Sequence, residues 1–221
     1  MEKRAYHHGA LREAMVEAGV ALARTGGPSA VVLRAVGRRV GVSHNAAYRH
    51  FADREDLLAA VAAGCMTELG RLMLRRTAEV REDDPVQRAW SRLEAIGRAY
   101  IDFATTEHGW FRTAFSGATA HPGAASKADG RSDPPSGAGS GTEAGAGADT
   151  TDPYVLLGRQ LDELVAVGAV PAERRPGAHY AAWSAVHGLS ALLVDGPLRE
   201  LPEDERRLAA DTVLAAVARG L

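Results

Sequence analysis

Apolar positions recur along the chain at three- and four-residue intervals, the period of a helix with one buried face. Leu11, Met15, Ala18 and Leu22 share such a face and predict a first helix over about 9–24, stopped by the turn residues Thr25-Gly26-Gly27-Pro28. A second, short helix is expected to open at Ser29 or Ala30 and run to Val40, with Leu33, Val36, Gly37 and Val40 facing inward. Gly41-Val42-Ser43 reads as a tight turn. The Ser43 hydroxyl can accept from a free backbone N–H and so caps a third helix over 44–51. Asp53 caps a fourth, where Glu55 and Asp56 in the first turn suit the helix dipole, extending to about Arg76.

Asp84-Pro85 pairs a cap with a residue suited to the first helical position, predicting a fifth helix to Thr106. Trp90, Leu93, Ile96, Gly97, Tyr100, Ile101 and Phe103 form its apolar face. Glu107-His108-Gly109 breaks it before a short helix with Trp110, Phe111, Ala114 and Phe115. Between about 117 and 152 small and polar residues replace every aromatic and large aliphatic one. Such a stretch buries too little to offset the entropy of ordering it, which predicts a disordered loop joining two helices of one domain, or alternatively a linker. Helical patterns resume over 153–168, 176–195 and 202–219, and no segment alternates as a strand does. The expectation is an all-α fold of about nine helices, divided into a small N-terminal domain over 1–55 and a helical bundle over 56–221.

Composition narrows the function. The single cysteine, Cys65, excludes an intrachain disulfide framework and a thiolate metal cage, and suits a reducing cytoplasmic setting. The first ten residues are polar, so no signal peptide is expected, and no apolar run approaches the length that spans a bilayer. The adjacent His7 and His8 point apart on a helix and make no metal site. The remaining histidines are isolated and no nucleophile–base set is spaced for catalysis, so neither an enzyme nor a cofactor or metal is expected. The net charge of -2 hides an asymmetry: residues 1–54 carry nine Lys/Arg against four Asp/Glu, leaving a basic front on an acidic remainder. That distribution is either chance clustering of surface charge or the footprint of a localised nucleic-acid contact.

The segment Leu33–Phe51 favours the latter. Two short helices need small residues where they cross (Gly37, Ala47), a glycine in the turn (Gly41) and apolar anchors beyond it (Val42, Ala47, Phe51). The pattern predicts a helix-turn-helix, whose second helix would enter the major groove, although helix pairs with a glycine turn occur in many proteins. Asn45 and Arg49, four apart, share one face and suit adenine and guanine edges; His44 and Tyr48 form a neighbouring pair. Tyr48 and Phe51 could equally serve as core aromatics.

The run Val40-Gly41-Val42-Ser43-His44-Asn45-Ala46-Ala47-Tyr48-Arg49-His50-Phe51-Ala52-Asp53-Arg54-Glu55-Asp56-Leu57-Leu58 resembles the DNA-binding signature of the TetR family. The resemblance implies an all-helical homodimer that binds double-stranded operator DNA and carries a C-terminal ligand-binding and dimerisation domain. By position it puts His44, Asn45, Ala46 and Arg49 at bases and Tyr48, His50 and Arg54 at phosphates, with Ser43 completing the candidate DNA-binding set. Where the family often has a hydroxyl near the start of the second helix, this chain has Val32, and Ala46 can offer only a methyl contact.

A second stretch, Ala182–Leu193 with Trp183, His187 and Gly188, is similar to the Trp-His-Gly (WHG) group of the family's C-terminal domains. The resemblance implies dimerisation through the last two helices. Aromatic residues concentrate in the middle of the chain. Tyr100, Phe103, Trp110, Phe111, Trp183 and His187 are the candidate lining of a small-molecule pocket, or else plain core. The expected function is a ligand-responsive transcriptional regulator, on the family's usual mode a repressor; a regulator without a ligand, an activator and an enzyme are the rival readings.

Overall fold

The computed structural model describes residues 2–117 and 150–221, with side chains from Ala10 onward. The expected loop over about 117–152 therefore lies almost wholly outside the described residues, as do the His7 and His8 side chains. Among the described residues there are nine α-helices and no strand. They are α1 (Glu2–Gly26), α2 (Leu33–Val40), α3 (His44–Ala47), α4 (Arg54–Ala78), α5 (Pro85–Thr106), α6 (His108–Ala114), α7 (Pro153–Ala166), α8 (Ala178–Val194) and α9 (Glu203–Gly220).

Local chemistry sets several of the boundaries. The Asp84 carboxylate accepts from the Gln87 N–H at 2.8 Å and Pro85 takes the first helical position, so α5 runs as expected. Asp152 and Pro153 repeat the device at α7, with Asp152 accepting from Tyr154 N–H at 2.7 Å. At α4 the capping is reciprocal: Asp53 accepts from Asp56 N–H at 2.8 Å, and Asp56 accepts from Ala52 N–H at 3.1 Å.

Three expected boundaries move: α1 opens at Glu2, not at about residue 9, and two more shift within the helix-turn-helix. The second helix does not open at Ser29 or Ala30: Gly27–Ala30 form a 3-10 turn, Val31 and Val32 follow it, and α2 begins at Leu33. The β-branched side chain of Val32 suits its extended backbone (φ −132°, ψ 140°), and Val31 is fully buried. The third helix does not stay α-helical to residue 51. After Ala47 the chain tightens, with Arg49 N–H bonding Ala46 O and His50 N–H bonding Ala47 O, which brings Phe51 into the core.

Three clusters make up the core. One packs Met15, Val31, Leu33, Val36, Ala47, Phe51, Leu57, Val61 and Cys65 beneath the helix-turn-helix. A second, further along the chain, gathers Leu69, Met73, Ile96, Tyr100, Phe103, Phe111, Val186 and Leu193. The third joins α5, α7 and α8 through Leu93, Leu157, Leu161 and Ala182. Helix α4 enters both of the first two. It is also long and apolar enough to cross a membrane by length and mean hydropathy, which corrects the expectation that no segment comes near that limit. Its buried stripe (Leu57, Val61, Cys65, Leu69, Met73) instead packs against protein. Burial, with Glu68 nearby, pushes the Cys65 thiol up to about 12, which keeps it protonated and unreactive.

Candidate nucleic-acid interface and the cavity behind it

Gly41 closes α2 in the left-handed conformation (φ 78°), where a residue without Cβ is unstrained. Val42 N–H bonds back to Gly37 O at 2.9 Å. Ser43 then caps α3, its hydroxyl accepting from Ala46 N–H at 3.2 Å. The cap and the buried Ala47 and Phe51 fix which edge of α3 points outward. His44, Asn45, Tyr48 and Arg49 are exposed, whereas Ala46 and His50 are half-buried. The side chains of Asn45 and Arg49 make no hydrogen bond or ion pair with any described residue. His44 and Tyr48 rings lie 4.6 Å apart. Arg54, expected at a phosphate, donates to the Pro28 carbonyl at 2.7 Å and so also ties α4 to the turn after α1. Val32 caps α2 without a side-chain hydrogen bond.

The helix-turn-helix is joined to the bundle at the end of α1. A side chain at Gly109 would collide with the carbonyls of Ala23 and Arg24, so α6 begins pressed against the C-terminus of α1. Trp110 Nε1 donates to Val20 O at 2.8 Å, and Arg24 lies 4.9 Å over the Trp110 ring. Arg24 Nε also bonds Glu107 at 2.8 Å, and this carboxylate raises its pKa. Phe103 stacks on Trp110 at 6.0 Å.

A cavity of about 400 Å³ opens among α5, α8 and α9, with Met73 of α4 and Leu157 of α7 at its edges. Of the six expected lining residues it brings two together, Tyr100 and Trp183, in edge-to-face contact at 5.2 Å. Phe103 and Trp110 sit at the joint just described. Phe111 and His187 belong to an aromatic cluster with Tyr100 and Phe115, in which the Tyr100 hydroxyl and His187 Nδ1 are 2.8 Å apart. Burial lowers the His187 pKa and raises that of Tyr100.

The residues that composition did not single out are Glu94, Arg98 and Asp211. Arg98 Nε donates to Glu94 at 2.8 Å and Nη2 to Asp211 at 2.7 Å. Burial works against the Arg98 charge, but the hydrogen bonds to Asp211 and Glu94 outweigh it and hold its pKa above the ordinary value. The signal was present in the sequence: Trp90, Glu94 and Arg98 recur every four residues on one face of α5.

On the far side of α9 lies a wide apolar groove, about 1160 Å³, between α8 and α9, lined in part by Ala181, Ala185, Leu192, Leu208 and Val213. Val217 borders both this groove and the cavity, so a single helix separates them. Among the described residues no group of three His, Cys, Asp or Glu is placed to hold a metal ion.

A capped helix pair with an exposed polar edge, carried on a helical bundle, defines a helix-turn-helix protein. Comparison with known families makes this specific. Residues 15–61 match the family described as "Bacterial regulatory proteins, tetR family", and residues 93–216, more than half of the chain, match "Tetracyclin repressor-like, C-terminal domain". The chain belongs to the TetR family of transcription regulators, with a DNA-binding helix-turn-helix. Among solved structures it is similar to a protein of unknown function from Rhodococcus sp. RHA1, at 25% identity and a TM-score of 0.65, covering 98% of this chain and 97% of that one. It shares its fold with a TetR family transcription regulator from Marinobacter aquaeolei VT8, at 17% identity and a TM-score of 0.52, covering 98% of each chain. No curated protein matches it.

Proposed function

We propose that this chain is a cytoplasmic repressor that binds a palindromic operator as a homodimer and is released from it by a small molecule. The observation that carries the reading is the outward placement of Asn45 on α3 and of Arg49 in the turn that continues it, with neither side chain bonded to a described residue. Asn pairs with adenine and Arg with guanine in the major groove. His44 and Ala46 flank them at bases, while Ser43, Tyr48, His50 and Arg54 hold phosphates. The reading domain spans 1–55 and the sensing and dimerising domain 56–221, in the WHG group to which Trp183, His187 and Gly188 point.

Dimerisation supplies the second reading helix, since two-fold half-sites lie about 34 Å apart or a multiple of that. The α8–α9 groove, with Leu192 and Leu208 exposed, is the surface suited to it. Ligand in the cavity and operator at α3 then oppose each other through one coupling free energy. Helix α4 is the lever that fits: Leu57 and Val61 underlie the reading helices, and Met73 touches the cavity.

The test is selection of bound fragments from the source genome, followed by footprinting. The expected site is a palindrome, and Asn45→Ala or Arg49→Ala should each weaken it by about 1–3 kcal/mol while leaving nonspecific binding in place. Equal losses on operator and random DNA would refute base reading by these residues.

A further inference from the structure

The cavity among α5, α8 and α9 has the size of a small-ligand site, about 300–1,000 Å³ in general and about 400 Å³ here. Its inner wall is apolar, built from Leu93, Ile96, Leu157, Val186 and Leu214, with the soft thioether of Met73. Trp90, Tyr100 and Trp183 add aromatic surface. The Tyr100 hydroxyl is already engaged by His187 at 2.8 Å.

The charged lining residues are Glu94, Arg98 and Asp211: two carboxylates and one guanidinium. The Nε and Nη2 positions of Arg98, one of the two edges that can grip an anion in a bidentate fashion, are held by Glu94 and Asp211. An incoming carboxylate or phosphate is left with Nη1 or must displace one of them, and either way it brings a third negative charge to the cluster. A cation meets the unneutralised carboxylate charge, and aromatic faces attract it as well.

We propose that this cavity takes a lipophilic monocation, its apolar body inside and its cationic head at the Glu94–Arg98–Asp211 mouth. The proposal rests on the reading of the cavity as the effector site. The three side chains are about half exposed, so salt screens their preference and the expected discrimination is modest.

The experiment titrates the full-length protein calorimetrically with three probes of similar length: phenylbutyltrimethylammonium, 4-phenylbutanol and 5-phenylpentanoate. The cation should bind about tenfold tighter than the alcohol, and the anion weakest. The double variant Glu94→Gln with Asp211→Asn leaves Arg98 unopposed and should reverse the order, making the anion tightest. Should that pair of changes impair folding, Glu94→Gln alone neutralises the mouth and should bring cation and alcohol together. The proposal is overturned if the anion binds the unaltered protein best, if cation and alcohol bind alike, or if none of the three saturates. Operator affinity measured on the same samples separates the two readings. A cation that binds the cavity without weakening operator binding supports the ligand class and sinks the effector role.

Discussion

Gly37 and Gly41 stand four residues apart in the reading head and answer to different constraints. Gly37 lies inside α2, and a Cβ there would meet Val42 and Ala47 at 3.6–3.7 Å, ordinary packing distances. The crossing is close but has room for a methyl. Gly37→Ala should therefore leave stability unchanged or raise it by about 0.5–1 kcal/mol, the helix-interior penalty of glycine. Gly41 is held at φ 78°, where a Cβ is strained, so Gly41→Ala should lower stability by about 1–2 kcal/mol. Urea denaturation of both variants checks the order; a more stable Gly41→Ala would overturn it. His187 makes a pH-dependent contribution of definite sign. Burial holds its folded pKa below the ordinary 6.5, so as pH falls below 6.5 the unfolded chain takes up a proton that the folded chain refuses. Stability should be greatest above that pH and decline towards the lowered folded pKa. His179, lowered by burial and then by Arg175, acts in the same direction. His187→Gln should flatten part of the decline in urea midpoint between pH 7 and about 5. An unchanged slope would show that the His187 environment is not its source.

At the scale of elements, the joint between α1 and α6 offers the sharpest steric test. Gly109 abuts two backbone carbonyls, which cannot swing aside as a side chain can. Gly109→Ala should destabilise the protein by about 1–3 kcal/mol, as overpacking does, or shift α6 relative to α1. Denaturation reports the first, and a change in Trp110 fluorescence the second, since its indole bonds Val20 O. An unperturbed variant on both counts would mean that the joint is loose. The same joint shows what the sequence could and could not convey. The Asp84-Pro85 start of α5 was legible because a cap is local chemistry, complete within four residues. The start of α2 was not, because Val31 and Val32 carry a helical apolar pattern while one is buried in the turn and the other extended. The outward face of α3 followed from its anchors. The cavity did not follow from aromatic type: Phe103, Trp110 and Phe111 pack towards α1 or the aromatic cluster, and only Tyr100 and Trp183 of the expected set reach the open space. The approach of Leu214 to Gly97, which sets α9 against α5, joins residues far apart in sequence and leaves no local trace.

At the scale of the whole molecule the arrangement is layered: reading helices at one end, a bundle behind them, and in that bundle α9 standing between a cavity and an apolar groove. Val217 touches both. A wall one helix thick transmits displacement because packed interiors are close to incompressible. Leu208 is 65% exposed and Leu192 43%, an arrangement that leaves apolar surface in water unless a second copy covers it. Two-fold pairing would place Leu208 of one protomer on the equivalent groove of the other. Introducing a charge there opposes burial, whereas the same change leaves the fold of one protomer alone because Leu208 packs little against its own chain. Leu208→Glu should therefore convert a dimer to a folded monomer in sedimentation equilibrium. Operator affinity should fall at least about a hundredfold with it, because the second head no longer binds at high effective concentration. A variant that stays dimeric places the interface elsewhere. A monomer that keeps full operator affinity would show that one reading helix suffices, against the two-headed release proposed above.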